Sequence, residues 1–144
     1  MSPSPPPRVG LDTSFVLRLL TGEPVSLAEK AVKQLEALRS VGRRASISDL
    51  VVCETYFALQ YHYEVPKQLA LNKLREFLES PEIAATGDSF SVLQTPALGR
   101  AKPGFVDRVI HAQYLREDAA MLTFEKSAAK LPRAVVIERS HGAS

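Results

Sequence analysis

Val9-Gly10-Leu11-Asp12-Thr13-Ser14 is the stretch that decides the fold, because a short apolar run ends on an aspartate and a helical pattern follows at once. Apolar residues recur at helical spacing as far as Leu20, and Thr21-Gly22-Glu23-Pro24 ends that pattern. In a parallel α/β sheet, ligands are bound at the carboxyl ends of strands, next to the starts of helices. The sequence therefore predicts that Asp12 lies at a functional edge of such a sheet.

Short apolar runs and helical patterns alternate along the rest of the chain. We predict further strands at Ala45–Ile47, at the edge segment Glu82–Ala85, and at Ala119–Thr123 and Ala134–Ile137. The Ala45–Ile47 and Ala119–Thr123 runs are expected to be buried. Helices are expected to begin with a capping box at Ser26–Glu29, after a cap at Ser48, near Pro66 and after Pro103-Gly104. This alternation favours an α/β/α three-layer sandwich with a short parallel sheet.

No repeat or linker divides the sequence, so one domain is expected over residues 8–138. The proline-rich residues 1–7 are predicted to form a solvated, disordered tail, and residues 139–144 a polar tail. With 144 residues, the chain is long enough to bury a core. The apolar helix around Leu71 to Leu78 is a candidate dimer face.

The composition excludes a membrane protein and permits a nucleic-acid-binding one. No apolar run approaches the roughly 20 residues that cross a bilayer, and the N-terminus has no secretory pattern. The single cysteine, Cys53, cannot form an internal disulfide, which suits a reducing cytoplasm. A net charge of +2 permits contact with nucleic acid without requiring it.

Glu54 is the only Asp, Glu, Lys or Arg between Leu50 and Tyr63. Because its neighbours in the helix are mostly apolar, we expect it to be buried. A buried carboxylate is costly unless it gains a partner, a metal ion or a proton. Two interpretations stay open, namely a metal ligand and a salt bridge to Arg43 or Arg44.

Two further acids occupy comparable positions in the second half of the sequence. Asp107 falls in the first turn of the helix after Pro103-Gly104, where an acid is also common in ordinary helices. Glu125 follows a predicted strand, as Asp12 does. His111 shares a helix face with Asp107, but a single histidine there is usually a packing or surface residue. We leave it out of the catalytic set.

Four acids without a cysteine or histidine cluster suit a hard cation, one or two Mg²⁺ or Mn²⁺ ions, better than zinc. Without a cation, carboxylates gathered in one crevice would raise each other's pKa values. Divalent ions held in this way activate water for phosphodiester hydrolysis. Basic side chains near two of the acids are candidate substrate contacts, although each also fits solvated surface charge: Arg100, Lys102, Arg108, Lys126 and Lys130.

Four segments together resemble the PIN domain, and most of all the VapC-type toxin ribonucleases. They are Leu11–Ser14, Ser48–Glu54, Gly104–Ala112 and Leu122–Lys126, and the likeness runs from about Val9 to Ile137. The resemblance implies a metal-dependent endoribonuclease with a parallel sheet that acts on RNA. It also implies a frequent homodimer, usually neutralised by a small antitoxin protein.

The resemblance assigns roles to single positions. Asp12, Glu54 and Asp107 match the family's three near-universal acids. Thr13 or Ser14 would supply a hydroxyl to an acid or to metal-bound water, and Thr123 leads into the last motif. Glu125 stands where the family has aspartate, so a second metal would be held through water, shifted or absent.

Two other classes of protein are compatible with parts of the pattern. A haloacid-dehalogenase-like phosphatase also has an aspartate after the first strand, but it requires a second acid where this chain has Ser14. A PIN-like module that binds RNA or a partner without cutting is favoured by the departure at Glu125.

Overall fold

The computed structural model describes residues 7–139, in which short parallel strands alternate with helices. The strands are β1 (Val9–Gly10), β2 (Ala45–Ile47), β3 (Ile83–Ala85), β4 (Met121–Thr123) and β5 (Ala134–Val136). The helices are α1 (Thr13–Thr21), α2 (Val25–Ser40), α3 (Asp49–Tyr61), α4 (Lys67–Glu79), α5 (Ser89–Leu93) and α6 (Phe105–Arg116), with 3-10 turns at Leu98–Arg100 and Lys126–Lys130. The predicted α/β class with parallel strands is confirmed.

The chain forms two compact units, which meet in the sequence at Phe90 and Ser91. The first unit contains the parallel sheet β1-β2-β3, and the second contains the parallel pair β4-β5. The predicted tails at residues 1–7 and 139–144 lie outside the described residues except for Pro7 and Arg139. Pro7 contributes a carbonyl that accepts a hydrogen bond from Arg43 Nε at 3.1 Å. Along residues 7–139, no helix combines the length and apolarity that crossing a membrane requires.

The first sheet places Asp12 where the sequence predicts it. β2 lies in the centre, and its residue Ala45 pairs with Val9 on one side and Ile83 on the other. The Leu11 N–H donates to the Ser46 carbonyl at 2.9 Å, so the pairing continues up to the residue before Asp12. Because β1 and β2 are parallel, Asp12 and the start of α3 follow their strands at the same edge of the sheet.

Two helix starts were predicted by capping, and the structure confirms one of them. Ser48 caps α3, and its Oγ accepts a hydrogen bond from the Val51 N–H at 3.3 Å. The predicted capping box at Ser26 is wrong, because α2 begins at Val25 with Pro24 as its N-cap and has no side-chain cap. The Pro24 carbonyl accepts the first hydrogen bonds of the helix. The proline ring fixes φ at this N-cap position, so the helix starts there without a serine cap.

The proposed dimer face on α4 is also wrong. Leu71, Leu74 and Leu78 are all buried within the chain, where α4 packs against α3 and β3. The leucine spacing indicated an apolar face correctly, but a helix buries such a face against its own domain before any partner is needed.

In the second unit, the two strands are covered on one face only. Met121 and Thr123 are half-buried, whereas Leu122 between them is 74% exposed. The expectation of a buried strand at Ala119–Thr123 is therefore wrong in its burial and right in its position. Alternate side chains point to opposite faces of a strand, so one covered face leaves the middle residue in solvent.

Asp49 is a buried acid that the sequence pattern does not reveal. It begins α3, is 7% exposed, and accepts hydrogen bonds from the Asp88 N–H at 2.9 Å and the Ser89 N–H at 2.9 Å. The Ser89 hydroxyl donates a third bond at 2.5 Å. Asp49 thus ties the start of α3 to the residues that follow β3.

Candidate functional site

Asp12 occupies the N-cap position of α1, but its carboxylate does not cap the helix. The Asp12 main-chain carbonyl accepts from the N–H groups of Phe15 and Val16, both at 3.1 Å. Its carboxylate Oδ2 instead accepts a hydrogen bond from the Ser14 hydroxyl at 3.2 Å. The exposed carboxylate of Asp12 is therefore held by a side chain and is not used in forming the helix.

Glu54 is exposed, so the prediction that it is buried is wrong. On α3, Val52, Thr55, Tyr56 and Leu59 are buried, whereas Glu54 lies on the opposite, exposed face. Apolar residues also occupy that exposed face, and for this reason the sequence looks apolar on all sides of the helix. The apolar neighbours of Glu54 in the sequence therefore do not determine whether its side chain is buried.

The partner of Glu54 is a hydroxyl group. The Thr13 Oγ1 donates to Glu54 Oε1 at 2.6 Å, which joins the residue after Asp12 to the α3 acid across 41 positions of sequence. The open alternative of a salt bridge is not what forms, since Arg43 donates to the Pro7 carbonyl and Arg44 to the Ile83 carbonyl. In the first unit, Thr13 therefore links Glu54 on α3 to the residue that follows Asp12.

The second unit brings Asp107, Thr123 and Glu125 to the wall of one pocket. Its volume is about 270 Å³, and both acids are exposed. Asp107 lies in the first turn of α6, as predicted. The other residues lining this pocket are Pro103, Ile110, Tyr114, Met121, Leu122 and Ala128. Asp107 and Glu125 come from different motifs of the sequence, and both line this pocket together with Thr123.

Glu125 has a structural task in addition to its charge. It is the N-cap of the 3-10 turn Lys126–Lys130, and its Oε1 accepts from the Ser127 N–H at 3.2 Å and the Ser127 Oγ at 2.9 Å. The Glu125 N–H donates to Thr123 Oγ1 at 3.0 Å. These bonds fix the main chain between β4 and the turn.

The pKa of Glu125 lies below its usual value. Its largest cause is the hydrogen bond from the Ser127 hydroxyl, followed by the bond from the Ser127 N–H. Desolvation raises the pKa and comes next in size, and the positive charges of Lys102 and Arg139 lower it by smaller amounts. Glu125 therefore remains an ionised oxygen donor below the pH at which an ordinary glutamate takes up a proton.

The predicted substrate-contact residues have different surroundings. The positive charge of Lys102 lowers the pKa of Glu125, and so does that of Arg139. Arg139 was not among the predicted contacts because it lies in the predicted polar tail. The Arg139 guanidinium also lies 5.9 Å from the centroid of the Phe124 ring.

The other predicted contact residues, like Lys102, belong to the second unit. Arg108 donates from Nε to the Pro103 carbonyl at 2.7 Å, at the start of its own helix. Arg100, Lys126 and Lys130 are exposed.

His111 is buried, and its Nε2 lies 2.7 Å from the Pro132 carbonyl. This contact agrees with the interpretation of His111 as a packing residue.

The oxygen atoms present suit a hard divalent cation: the Glu54 carboxylate with the Thr13 hydroxyl in the first unit, and Asp107 and Glu125 with Thr123 along one pocket in the second. Within residues 7–139, no group of three or more Asp, Glu, His and Cys side chains is arranged to hold a metal ion. That all four acids reach a single crevice stays a prediction.

A family model described as the PIN domain matches residues 9–134. The matched range begins at the first residue of β1 and ends at the first residue of β5, so it includes all four acids. Members of this family are generally nucleases, typically dependent on a divalent metal ion. A comparison with curated proteins found no match. The family match favours the PIN interpretation over a haloacid-dehalogenase-like phosphatase.

Proposed function

The chain belongs to the PIN domain family, and from this premise we propose that it is a Mg²⁺- or Mn²⁺-dependent endoribonuclease that hydrolyses RNA phosphodiester bonds. One observation supports the proposal beyond the family: Thr13, the residue after Asp12, donates its hydroxyl to Glu54 on a distant helix, and Asp107 and Glu125 line one pocket together with Thr123. Acids that served only solubility would be scattered over the surface. Grouped carboxylates repel one another, and a cation relieves that repulsion.

In this proposal, Asp12, Glu54, Asp107 and Glu125 are the ligands of one or two ions. A bound ion would supply activation of a water molecule and stabilisation of the leaving oxygen. The hydroxyl groups of the chain have their own tasks, because Thr13 orients Glu54 and Ser14 orients Asp12. Lys102 and Arg139 provide positive charge near Glu125 that attracts the phosphate backbone of RNA.

A binding module with weak or absent nuclease activity is the second candidate, and the contacts of Glu125 favour it. Ser127 already donates two hydrogen bonds to Glu125 Oε1, so a metal would compete with a structural cap for that oxygen. Under this alternative, the protein binds RNA without cutting it.

Metal-dependent cleavage of a structured RNA by the purified protein separates the two candidates. We expect cleavage with Mg²⁺ or Mn²⁺, complete loss of cleavage after chelation, and recovery when the ion is added back. Asp12→Asn purified in parallel controls for contaminating nucleases. RNA binding without cleavage in every ion would contradict the nuclease proposal and support the binding module.

We propose further that this ribonuclease is the toxin of a type II toxin-antitoxin pair, acting on cytoplasmic RNA as a homodimer. The support is the likeness of the motifs to VapC-type sequences and the single cysteine. Induced expression in a bacterial host is expected to arrest growth, and Asp12→Asn at equal protein level is expected to be harmless. Normal growth with active wild-type protein in the cell would leave a nuclease that is not a toxin.

A further inference from the structure

Three aromatic rings on α3 form a series that runs from the core to the solvent. Tyr56 is buried, and its ring centroid lies 5.5 Å from that of Phe57 at an interplanar angle of 53°. Phe57 in turn stacks on Tyr61, with centroids 6.1 Å apart and an angle of 26°. The exposed fraction rises along this series, to 44% for Phe57 and 76% for Tyr61.

This pair shares a pocket with Thr13 and Glu54, two residues of the candidate functional site. The pocket has a volume of about 310 Å³ and is lined by Thr13, Glu54, Phe57, Ala58, Tyr61 and His62. Glu54 and the two rings lie on one face of α3, because positions 54, 57 and 61 are three and four residues apart. A ligand that contacts the rings therefore also reaches the Thr13–Glu54 pair.

We propose that Phe57 and Tyr61 form a stacking platform for an unpaired base of single-stranded RNA next to the candidate active site. The inference rests on the proposed function and adds a substrate preference to it. Exposed aromatic faces bind bases of any identity, because every base presents a π-face. The platform would hold the nucleotide beside Glu54, which is one of the proposed metal ligands.

The composition of the pocket suits a nucleobase, which has an apolar face and a polar edge. Its rim combines two aromatic rings with a hydroxyl, a carboxylate and an imidazole, so it offers hydrogen bonds to the polar edge of a flat ring. The volume lies at the low end of the range for small-ligand pockets and suits one nucleotide unit.

The test measures binding of a labelled single-stranded oligouridylate of roughly 8 nucleotides, a length within the usual site sizes. The metal is removed with a chelator so that the RNA stays intact. We expect Tyr61→Ala and Phe57→Ala to weaken binding by roughly 5- to 100-fold, the range found for loss of a stacked base. Tyr61→Phe keeps the ring and should bind like the wild type.

Two comparisons isolate the stacking. An abasic oligonucleotide of equal length carries the same phosphates, so wild type and Tyr61→Ala should bind it equally. Leu50→Ala is the matched control, because Leu50 is 74% exposed on the same helix and does not line the pocket. Its binding should be unchanged, and circular dichroism should show that all variants are folded.

The platform and the nuclease activity can fail independently. Equal affinity of wild type and Tyr61→Ala for the oligouridylate would overturn the platform, whether or not the protein cleaves RNA. If Tyr61→Ala instead converts a dimer to a monomer, the rings belong to an interface between copies and the platform is again overturned. Base-dependent binding without any cleavage would retain the platform and contradict the ribonuclease.

Discussion

The Asp49→Asn variant is expected to lose about 2 to 4 kcal/mol of unfolding free energy, since hydrogen bonds to a buried charged group are among the strong ones. The carboxylate accepts three hydrogen bonds from two residues, two at Oδ1 and one at Oδ2. An amide has the same shape but only one acceptor oxygen. Its NH₂ group must therefore face at least one N–H donor of Asp88 or Ser89.

Asp118→Asn is the matched control for this measurement. Asp118 also has a close charged partner, Arg133, but its side chain is 93% exposed. Exposed ion pairs contribute from about 0 to 1 kcal/mol, and asparagine tolerates the positive φ of 61° at this position. Urea unfolding of the wild type and of both variants should show a clearly larger loss of unfolding free energy for Asp49→Asn than for Asp118→Asn. Equal losses would show that burial of Asp49 has no special energetic weight.

A second variant tests the same contact from the other side. A Cβ added to Gly87 would lie 2.1 Å from Asp49 Oδ2 and 2.4 Å from its Cγ. Because Asp49 is held by its own hydrogen bonds, it cannot move away without breaking them. Gly87→Ala is therefore expected to destabilise the protein by an amount comparable to Asp49→Asn. Unchanged stability would mean that the space between Gly87 and Asp49 can accommodate a methyl group.

Much of the fold could be predicted because strand and helix patterns are local. The strands at Ala45–Ile47 and Glu82–Ala85 and the cap at Ser48 depend on neighbouring residues, and the structure places them within a residue of the prediction. The position of Asp12 follows from the same local pattern. Burial depends instead on what packs against each face, and the sequence alone does not contain that information.

The errors in burial follow from this distinction. Glu54 was expected inside because its neighbours are apolar, yet residues such as Phe57 and Tyr61 share its exposed face. Leu122 was expected to be buried because its strand is apolar, yet only one face of the strand is covered and Leu122 lies on the other. Exposed apolar residues mislead a one-dimensional pattern, and two of those on α3, Phe57 and Tyr61, are the residues to which we assign RNA stacking.

The hydrogen-bond partners within the candidate site also escape sequence reasoning. Thr13 was a candidate hydroxyl only through the family resemblance, and its bond to Glu54 spans 41 positions. Asp49 is adjacent to a capping serine and looks like an ordinary first-turn acid, although its partners lie about 40 residues away. Contacts between distant segments are set by the fold as a whole and require coordinates to be seen.

Asp12→Asn and Asp107→Asn are each expected to reduce RNA cleavage by about 100-fold or more, since loss of a metal ligand removes several kcal/mol of transition-state stabilisation. Both substitutions keep the size of the side chain. The fold should tolerate them, because Asp12 caps α1 through its main-chain carbonyl and both carboxylates are exposed. Loss of a first-turn acid at Asp107 costs about 0.3 to 1 kcal/mol.

The decisive measurement is cleavage rate and unfolding free energy on the same samples, with Glu76→Gln as the control. Glu76 is an exposed acid on α4 outside the two groups, so both quantities should match those of the wild type. A large kinetic loss with preserved stability identifies a residue that acts on the reaction, because a structural acid would change both. Near wild-type cleavage by Asp12→Asn and Asp107→Asn would remove these acids from the proposed metal site. If the kinetic loss appears for Asp12 and Asp107 but not for Glu125→Gln, Glu125 serves the 3-10 turn that it caps and the remaining acids carry the metal.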